Sequence, residues 1–187
     1  MSLLRFSHLQ QAHLIWNHWL QEGDWAIDST CGNGHDTLKL RELVGATGGV
    51  IALDIQEEAI ESARSRANAP NVHFFCQSHT AFPSLSDHHP IRLIVYNLGY
   101  LPGGEKDKTT LRESTLASLK SALSLVATGG LVSLTLYPGP PEGAAERTLL
   151  LDYVATLAPG EFNVSHTSWE NRKAAPSLLL IQKNTLC

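Results

Sequence analysis

Short apolar blocks alternate along this chain with longer stretches whose apolar residues recur at helical spacing. Residues 25–28, 50–54, 72–76, 91–96 and 131–137 read as buried strands. Between them, Leu38, Leu40 and Leu43 place a helix that opens near His35, and further helices fall at 56–67 and about 143–158. Thr109 or Thr110 is placed to cap a long helix reaching about Ala127. Ahead of the first strand, Leu9, Ala12, His13, Trp16 and Leu20 share one helical face, so 6–22 is expected to be an amphipathic helix ended by Gly23 as its C′ residue. Gly48-Gly49 and Gly129-Gly130 are expected as turns into the second and fifth strands. Two strands, 162–167 and 177–182, close the pattern with a polar loop between them.

Strand–helix alternation with short apolar strands argues for an α/β doubly wound, Rossmann-like sheet, mostly parallel and covered on both faces. The last two strands lack an intervening helix, so the finish is expected to be antiparallel. No repeat, low-complexity tract or linker divides residues 1–187, which are expected to form a single domain with the first helix packed on it. Such a sheet binds ligands beyond the carboxyl ends of its strands. The segments after Asp28, Asp54, Cys76 and Tyr96 are therefore expected to share one crevice.

Composition narrows the class. The chain is 43% hydrophobic and 17% charged, which fits a globular protein. No apolar run reaches the roughly 18 residues of a membrane span, and Arg5, His8, His13 and His18 interrupt any signal-like stretch. Cys31, Cys76 and Cys187 have no metal-ligand spacing and fit reduced thiols in a cytoplasmic protein; no metal site is assigned. A net charge of −4 means that a nucleic-acid partner would need a local basic patch.

The chemistry concentrates in the strand ends. Gly32 and Gly34, in the turn after the first strand, allow a sharp bend and close approach of a ligand to the backbone. Asp54 closes the second strand, where a carboxylate accepts the hydroxyls of a ribose, and Ile55 is then placed to pack on a base. Gln77, Ser78 and His79 follow the third strand, within reach of an adenine edge. Thr37 stands where a dinucleotide fingerprint carries its third glycine, which argues against an NAD-dependent enzyme. Asp28 suits a cationic amino group better than a pyrophosphate, and Thr30 sits in the same turn. Together these favour S-adenosylmethionine, which carries an ammonium, a sulfonium and no phosphate.

A second stretch, Asn97-Leu-Gly-Tyr-Leu-Pro-Gly-Gly-Glu-Lys106, follows the fourth strand. Methyl transfer to an amine is an in-line displacement that needs the amine's hydrogens held by acceptors. The Asn97 amide oxygen and the Leu98 carbonyl suit that role, and Tyr100 suits stacking on a planar base. Lys106, Lys108 and Arg112, with Arg147, Arg172 and Lys173, are candidates for a phosphate-binding patch near the target side.

The two motifs, Asp28-Ser-Thr-Cys-Gly-Asn-Gly-His-Asp-Thr37 and Asn97 to Lys106, resemble those of the putative rRNA methylase family, whose characterised members are MnmM-type tRNA methyltransferases. The resemblance covers nearly the whole chain. It implies a class I S-adenosylmethionine-dependent fold and methylation of the aminomethyl group on the wobble uridine of certain tRNAs, giving 5-methylaminomethyl-2-thiouridine. It implicates Asp28, Gly32, Asn33, Gly34, Asp36 and Thr37 around the cofactor, Asn97 and Tyr100 near the target, and Asn171 before the last strand. The expected partner is a tRNA, not a membrane, with a homodimer as a candidate assembly. An rRNA or small-molecule amine methyltransferase, and a non-catalytic cofactor-binding module, stay open beside it. The chain departs from the pattern at Pro140, where the family carries a His after Tyr-x-Gly. His79, His88, His89 and His166 are then candidates to supply an imidazole in its place.

Overall fold

The computed structural model describes residues 6–99, 112–139, 141–172 and 174–185. In chain order the elements are α1 (His8–Trp19), β1 (Trp25–Asp28), α2 (His35–Val44), β2 (Gly49–Asp54), α3 (Glu57–Ala67), β3 (Val72–Cys76), β4 (Ile91–Leu98), α4 (Arg112–Leu125), β5 (Val126–Leu136), α5 (Pro141–Val154), β6 (Phe162–Thr167) and β7 (Ser177–Lys183). The strands form one seven-stranded sheet in the order β3-β2-β1-β4-β5-β7-β6. β1 to β5 are parallel, and β7 runs antiparallel to both β5 and β6. The order reverses between β1 and β4, the place where a doubly wound sheet opens a crevice.

Alternate residues of each strand face opposite layers. Ile27, Ile51, Leu53, Ile94 and Tyr96 pack with Leu119 and Ala122 of α4 and Leu150 of α5. On the other face, Ala26, Val50 and Val95 pack with Ala12 and Trp16 of α1 and Leu40 and Val44 of α2, and Ala52 meets Ile60 and Ala63 of α3. Every one of these side chains is buried, which supplies the main stabilising term.

Some boundaries differ from the sequence expectation for local reasons. α1 spans His8–Trp19 because Ser7 caps it in a reciprocal box with Gln10, and Leu20 is already extended. Gly23 serves a separate turn at φ +95°. β4 continues through Leu98, so Asn97 is a strand residue opposite Thr135. Gly129-Gly130 is not a turn before β5. It lies inside β5, where the register shifts and Gly129 takes φ +75° as an extra stretch is accommodated.

α1 is fastened to the sheet by Trp16. Its ring is 1% exposed, and its indole N–H donates to Ser133 Oγ on β5 at 3.0 Å. Trp16→Ala is expected to cost about 3 kcal/mol or more, and Trp16→Phe, which keeps most of the packing, about 1–2 kcal/mol, read from urea unfolding. Equal losses for the two variants would show that the hydrogen bond, not the packing, holds α1.

Candidate active site

The turn between β1 and α2 is shaped by its glycines and stitched to neighbouring strands. Gly32 and Gly34 have φ of +47° and +77°, and a Cβ on Gly34 would come within 2.6 Å of Ala63 Cα on α3. The Cys31 N–H donates to the Leu53 carbonyl at 2.8 Å and the Ser29 N–H to the Val95 carbonyl at 2.9 Å. α3 also grips the turn from outside: Arg66 Nε donates to the Asn33 carbonyl at 2.7 Å, and Ser62 Oγ to Asn33 Oδ1 at 3.3 Å.

Asp28 ends β1 and is fully buried. Its Oδ2 accepts the Thr37 hydroxyl at 2.6 Å and its Oδ1 the Thr30 N–H at 3.3 Å. Thr37 thus uses its hydroxyl where a third glycine would offer nothing. Burial above all, and then the charge of Asp36, push the Asp28 carboxyl up to about 7, against the pull of its two donors. The Cys31 thiol, 4% exposed in the same turn, is held firmly protonated by burial and by Asp28 and Asp54, which removes it as a nucleophile.

On the β2 side, Asp54 Oδ2 accepts the Gly32 N–H and Oδ1 the Gln56 N–H, both at 3.0 Å. Burial raises its proton affinity despite these donors. Ile55 beside it is 49% exposed, an apolar surface left open at the crevice. Beyond β3, Gln77 Nε2 is tied to the Ala81 carbonyl at 2.7 Å, and Ser78 Oγ accepts from Thr80. His79 is 6% exposed and packs edge-on to Tyr96, and burial lowers its imidazole to about 4. It is a neutral residue beneath the loop.

On the β4 side, the Asn97 N–H donates to Thr30 Oγ1 at 2.8 Å, which joins the end of β4 to the glycine turn. Its side-chain Nδ2 donates to Asp36 Oδ2 at 3.0 Å. Asp36 Oδ1 is held at 2.8 Å by His13 Nε2 of α1. After Asn97 the chain bends through a Gly99 N–H to Asn97 carbonyl bond of 2.9 Å, and Gly99 lies against the Tyr137 ring. The Tyr137 hydroxyl is 3.2 Å from His8 Nε2. His8 is held below its ordinary range by burial, opposed by Asp36.

His8 and His13 are site neighbours that sequence reasoning missed. His13 counted there as part of the packing stripe of α1, and no spacing signal links it to a position on another helix. The histidines proposed instead lie elsewhere. His88 and His89 precede β4, at the opposite end of the sheet from the crevice, and His89 stacks on Trp25 with centroids 3.6 Å apart. His79 is enclosed, and His166 lies on β6, two strands beyond β5. Tyr100, Lys106, Lys108, Pro140, Lys173 and the side chain of Arg112 lie outside the described residues. Asn171 is exposed in the β6–β7 connection. The register of Ser177 with Leu136 puts that connection at the crevice end of the sheet, with Arg172 stacked over Trp169. A cavity of about 630 Å³ opens between α1 and this connection, lined by Leu14, Ile15, Trp19, Trp169 and Leu178, and it includes none of the candidate site residues.

Known proteins share this fold. The fold matches the crystal structure of a putative rRNA-methylase from Clostridium thermocellum with a TM-score of 0.90 and 30% identity, over 98% of this chain and 100% of that one. It matches a putative methyltransferase from Streptococcus mutans, solved in complex with SAH, with a TM-score of 0.81 and 29% identity, over 95% and 98%. An Arabidopsis thaliana protein named tRNA (mnm(5)s(2)U34)-methyltransferase, chloroplastic, is 36% identical over an alignment of 185 positions that covers 92% of this chain and 68% of that protein. The model of a family described as "Putative rRNA methylase" matches residues 50–183. Sheet order, glycine turn and strand-end carboxylates define a class I S-adenosylmethionine-dependent methyltransferase, with S-adenosylmethionine as its cofactor. Within that class, the chain belongs to the putative rRNA methylase family.

The residues present fit that cofactor. Three carboxylates, Asp28, Asp36 and Asp54, converge where a sulfonium and an ammonium would be neutralised, and Ile55 leaves an apolar surface for a base. Among the described residues no group of His, Cys, Asp or Glu is arranged to hold a metal, and no helix is long and apolar enough to cross a membrane.

Asp28 makes stability and binding depend on pH in opposite directions. Its folded carboxyl lies above the unfolded value of 3.8, so the native state holds a proton that the unfolded chain has released. Stability of the cofactor-free protein is expected to fall as pH rises from about 4 to about 7, and the fall should be smaller in Asp28→Asn. A cationic ligand prefers the ionised carboxylate, so affinity for S-adenosylmethionine should rise over the same interval. Urea midpoints and calorimetric titrations at several pH values between 4.5 and 8 check both, and a flat pair of profiles would contradict the assignment.

Proposed function

We propose that this methyltransferase acts on the aminomethyl group of a modified wobble uridine in tRNA, forming 5-methylaminomethyl-2-thiouridine. The observation that carries the reading is the hydrogen bond from Asn97 Nδ2 to Asp36. A carboxylate accepts and does not donate, so the amide must turn its NH2 toward Asp36. Its Oδ1 is then the atom left to face a substrate, and a carbonyl-type acceptor is what the hydrogens of an amine require. A hydroxyl or ring-carbon acceptor would gain less from it. The printed name of the Arabidopsis relative supports the same substrate class.

In this reading Gly32, Gly34 and Thr30 shape the cofactor side, Asp54 takes the ribose hydroxyls, and Ile55, Gln77 and Ser78 lie along the base. Asp28 and Asp36 balance its positive charge, with Asn33 and Thr37 fixing the turn that holds them. When bound, S-adenosylmethionine supplies an electrophilic methyl carbon. Asn97 aligns the neutral amine so that its lone pair points at that carbon. Bound there, the cofactor would give up its methyl with its sulfur as leaving group, and the ammonium formed on the substrate would pass its proton to water. The chain forms no covalent intermediate, in keeping with the protonated Cys31. Tyr100, Lys106, Lys108, Arg112 and Asn171 are assigned to the RNA.

Asn97→Ala is expected to lower kcat by about a hundredfold while the Kd for S-adenosylmethionine stays within about twofold. Equal losses in both would remove Asn97 from the acceptor role. The substrate is tested with labelled cofactor and separate pools of tRNA, rRNA and small amines. The tRNA should come from cells that lack the gene. Label in 5-methylaminomethyl-2-thiouridine is expected, and label confined to rRNA or to amines would overturn the tRNA assignment.

A further inference from the structure

Asp36 is 6% exposed and is held from two sides by two different elements. Its Oδ1 faces His13 Nε2 on α1 at 2.8 Å, and its Oδ2 faces Asn97 Nδ2 on β4 at 3.0 Å. Because an ionised carboxylate only accepts, His13 must carry a proton on Nε2. The position of His13 is itself fixed. Its ring lies 4.8 Å from that of Trp16, and Trp16 is locked to Ser133 on β5. A continuous line of contacts thus runs from the sheet through α1 to Asp36 and on to the amide that faces the substrate.

We infer that His13 is a positioning residue for methyl transfer: by fixing the Asp36 carboxylate from the far side, it keeps the Asn97 amide turned so that Oδ1 faces the amine. The inference rests on the role proposed above for Asn97. His13 and Asn97 hold the two oxygens of one carboxylate from different elements, so each fixes the plane that the other meets. Without His13, Oδ1 loses its partner and the carboxylate is free to turn to another rotamer. The Asn97 amide then loses the anchor that sets which of its ends faces the substrate, and a turned amide would present its NH2 to the amine. Two donors facing each other is the wrong polarity for holding an attacking nitrogen.

This predicts a specific pattern in the full-length enzyme. His13→Ala should slow single-turnover methyl transfer to unmethylated tRNA by about tenfold at pH 7, with cofactor Kd within about twofold of the parent. His13→Gln, whose side-chain amide can donate at similar reach, should recover most of the rate. In an Asn97→Ala background, His13→Ala should have little further effect, since its action passes through Asn97. Equal loss in His13→Ala and His13→Gln would overturn the inference. So would a full additional loss in the double variant.

A readout independent of the acceptor separates this inference from the proposed function. The side-chain NH2 resonances of Asn97, assigned through Asn97→Asp, should shift and broaden in cofactor-bound His13→Ala and not in His13→Gln. Unchanged resonances in both would sink the positioning role whatever the substrate. Failure of the parent enzyme to methylate tRNA, with the resonances responding as described, would sink only the tRNA assignment.

Discussion

Three carboxylates crowd together where β1 and β2 end and α2 begins, and the local structure is arranged around tolerating them. Asp28, Asp36 and Asp54 cannot move apart, because each is fixed by the strand or helix that bears it. The chain answers with donors. Thr37, Thr30, Gly32, Gln56, His13 and Asn97 each give a hydrogen bond to one of the three. Most are neutral, so they lower the cost of burial without cancelling the charge. The raised proton affinity of Asp28 reflects chiefly its burial, with the charge of Asp36 adding to it. Ionising a carboxyl buried in this way costs stability, and a positive charge beside it would offset that cost.

The donors also explain why distant parts of the chain meet here. Gly32 and Thr37 come from the turn and the helix beside it, but Asn97 arrives from β4 and His13 from α1. Asn97 serves the site twice. Its backbone N–H ties β4 to Thr30, while its side chain reaches Asp36. The helix before the sheet is therefore more than a cover for one face. Through Trp16 it draws its position from β5, and through His13 it delivers that position to Asp36, beside Asn97.

Much of this was legible in the sequence. Apolar blocks separated by helical periods placed the strands closely, because burial on both faces leaves no room for polar residues. The glycine turn, and the place of Asp54 at the end of β2 beside it, were legible because few residue types meet the backbone requirement of such a turn. The misses have physical causes too. The extension of β4 over Asn97 is set by pairing with β5, and a polar residue pointing into a crevice looks like a loop when read alone. The paired glycines at 129–130 read as a turn because a bulge makes the same conformational demand. His13 was hidden because its partner lies on another helix, and a histidine next to a tryptophan on an apolar stripe carries no mark of a second role. The basic patch was only suggested, since its loop lies largely outside the described residues.

The contact between Gly34 and Ala63 ties the first two strand–helix pairs into one block of consecutive chain. Together with the grip of Arg66 and Ser62 on Asn33, it holds much of residues 25–67 in shape by short-range contacts. The side beside Asn97 is built from partners far apart in sequence, and such closures are slower to form. During synthesis on the ribosome the glycine turn and its two helices can take shape first, and the Asn97 side is completed only after β4 and β5 have emerged and docked.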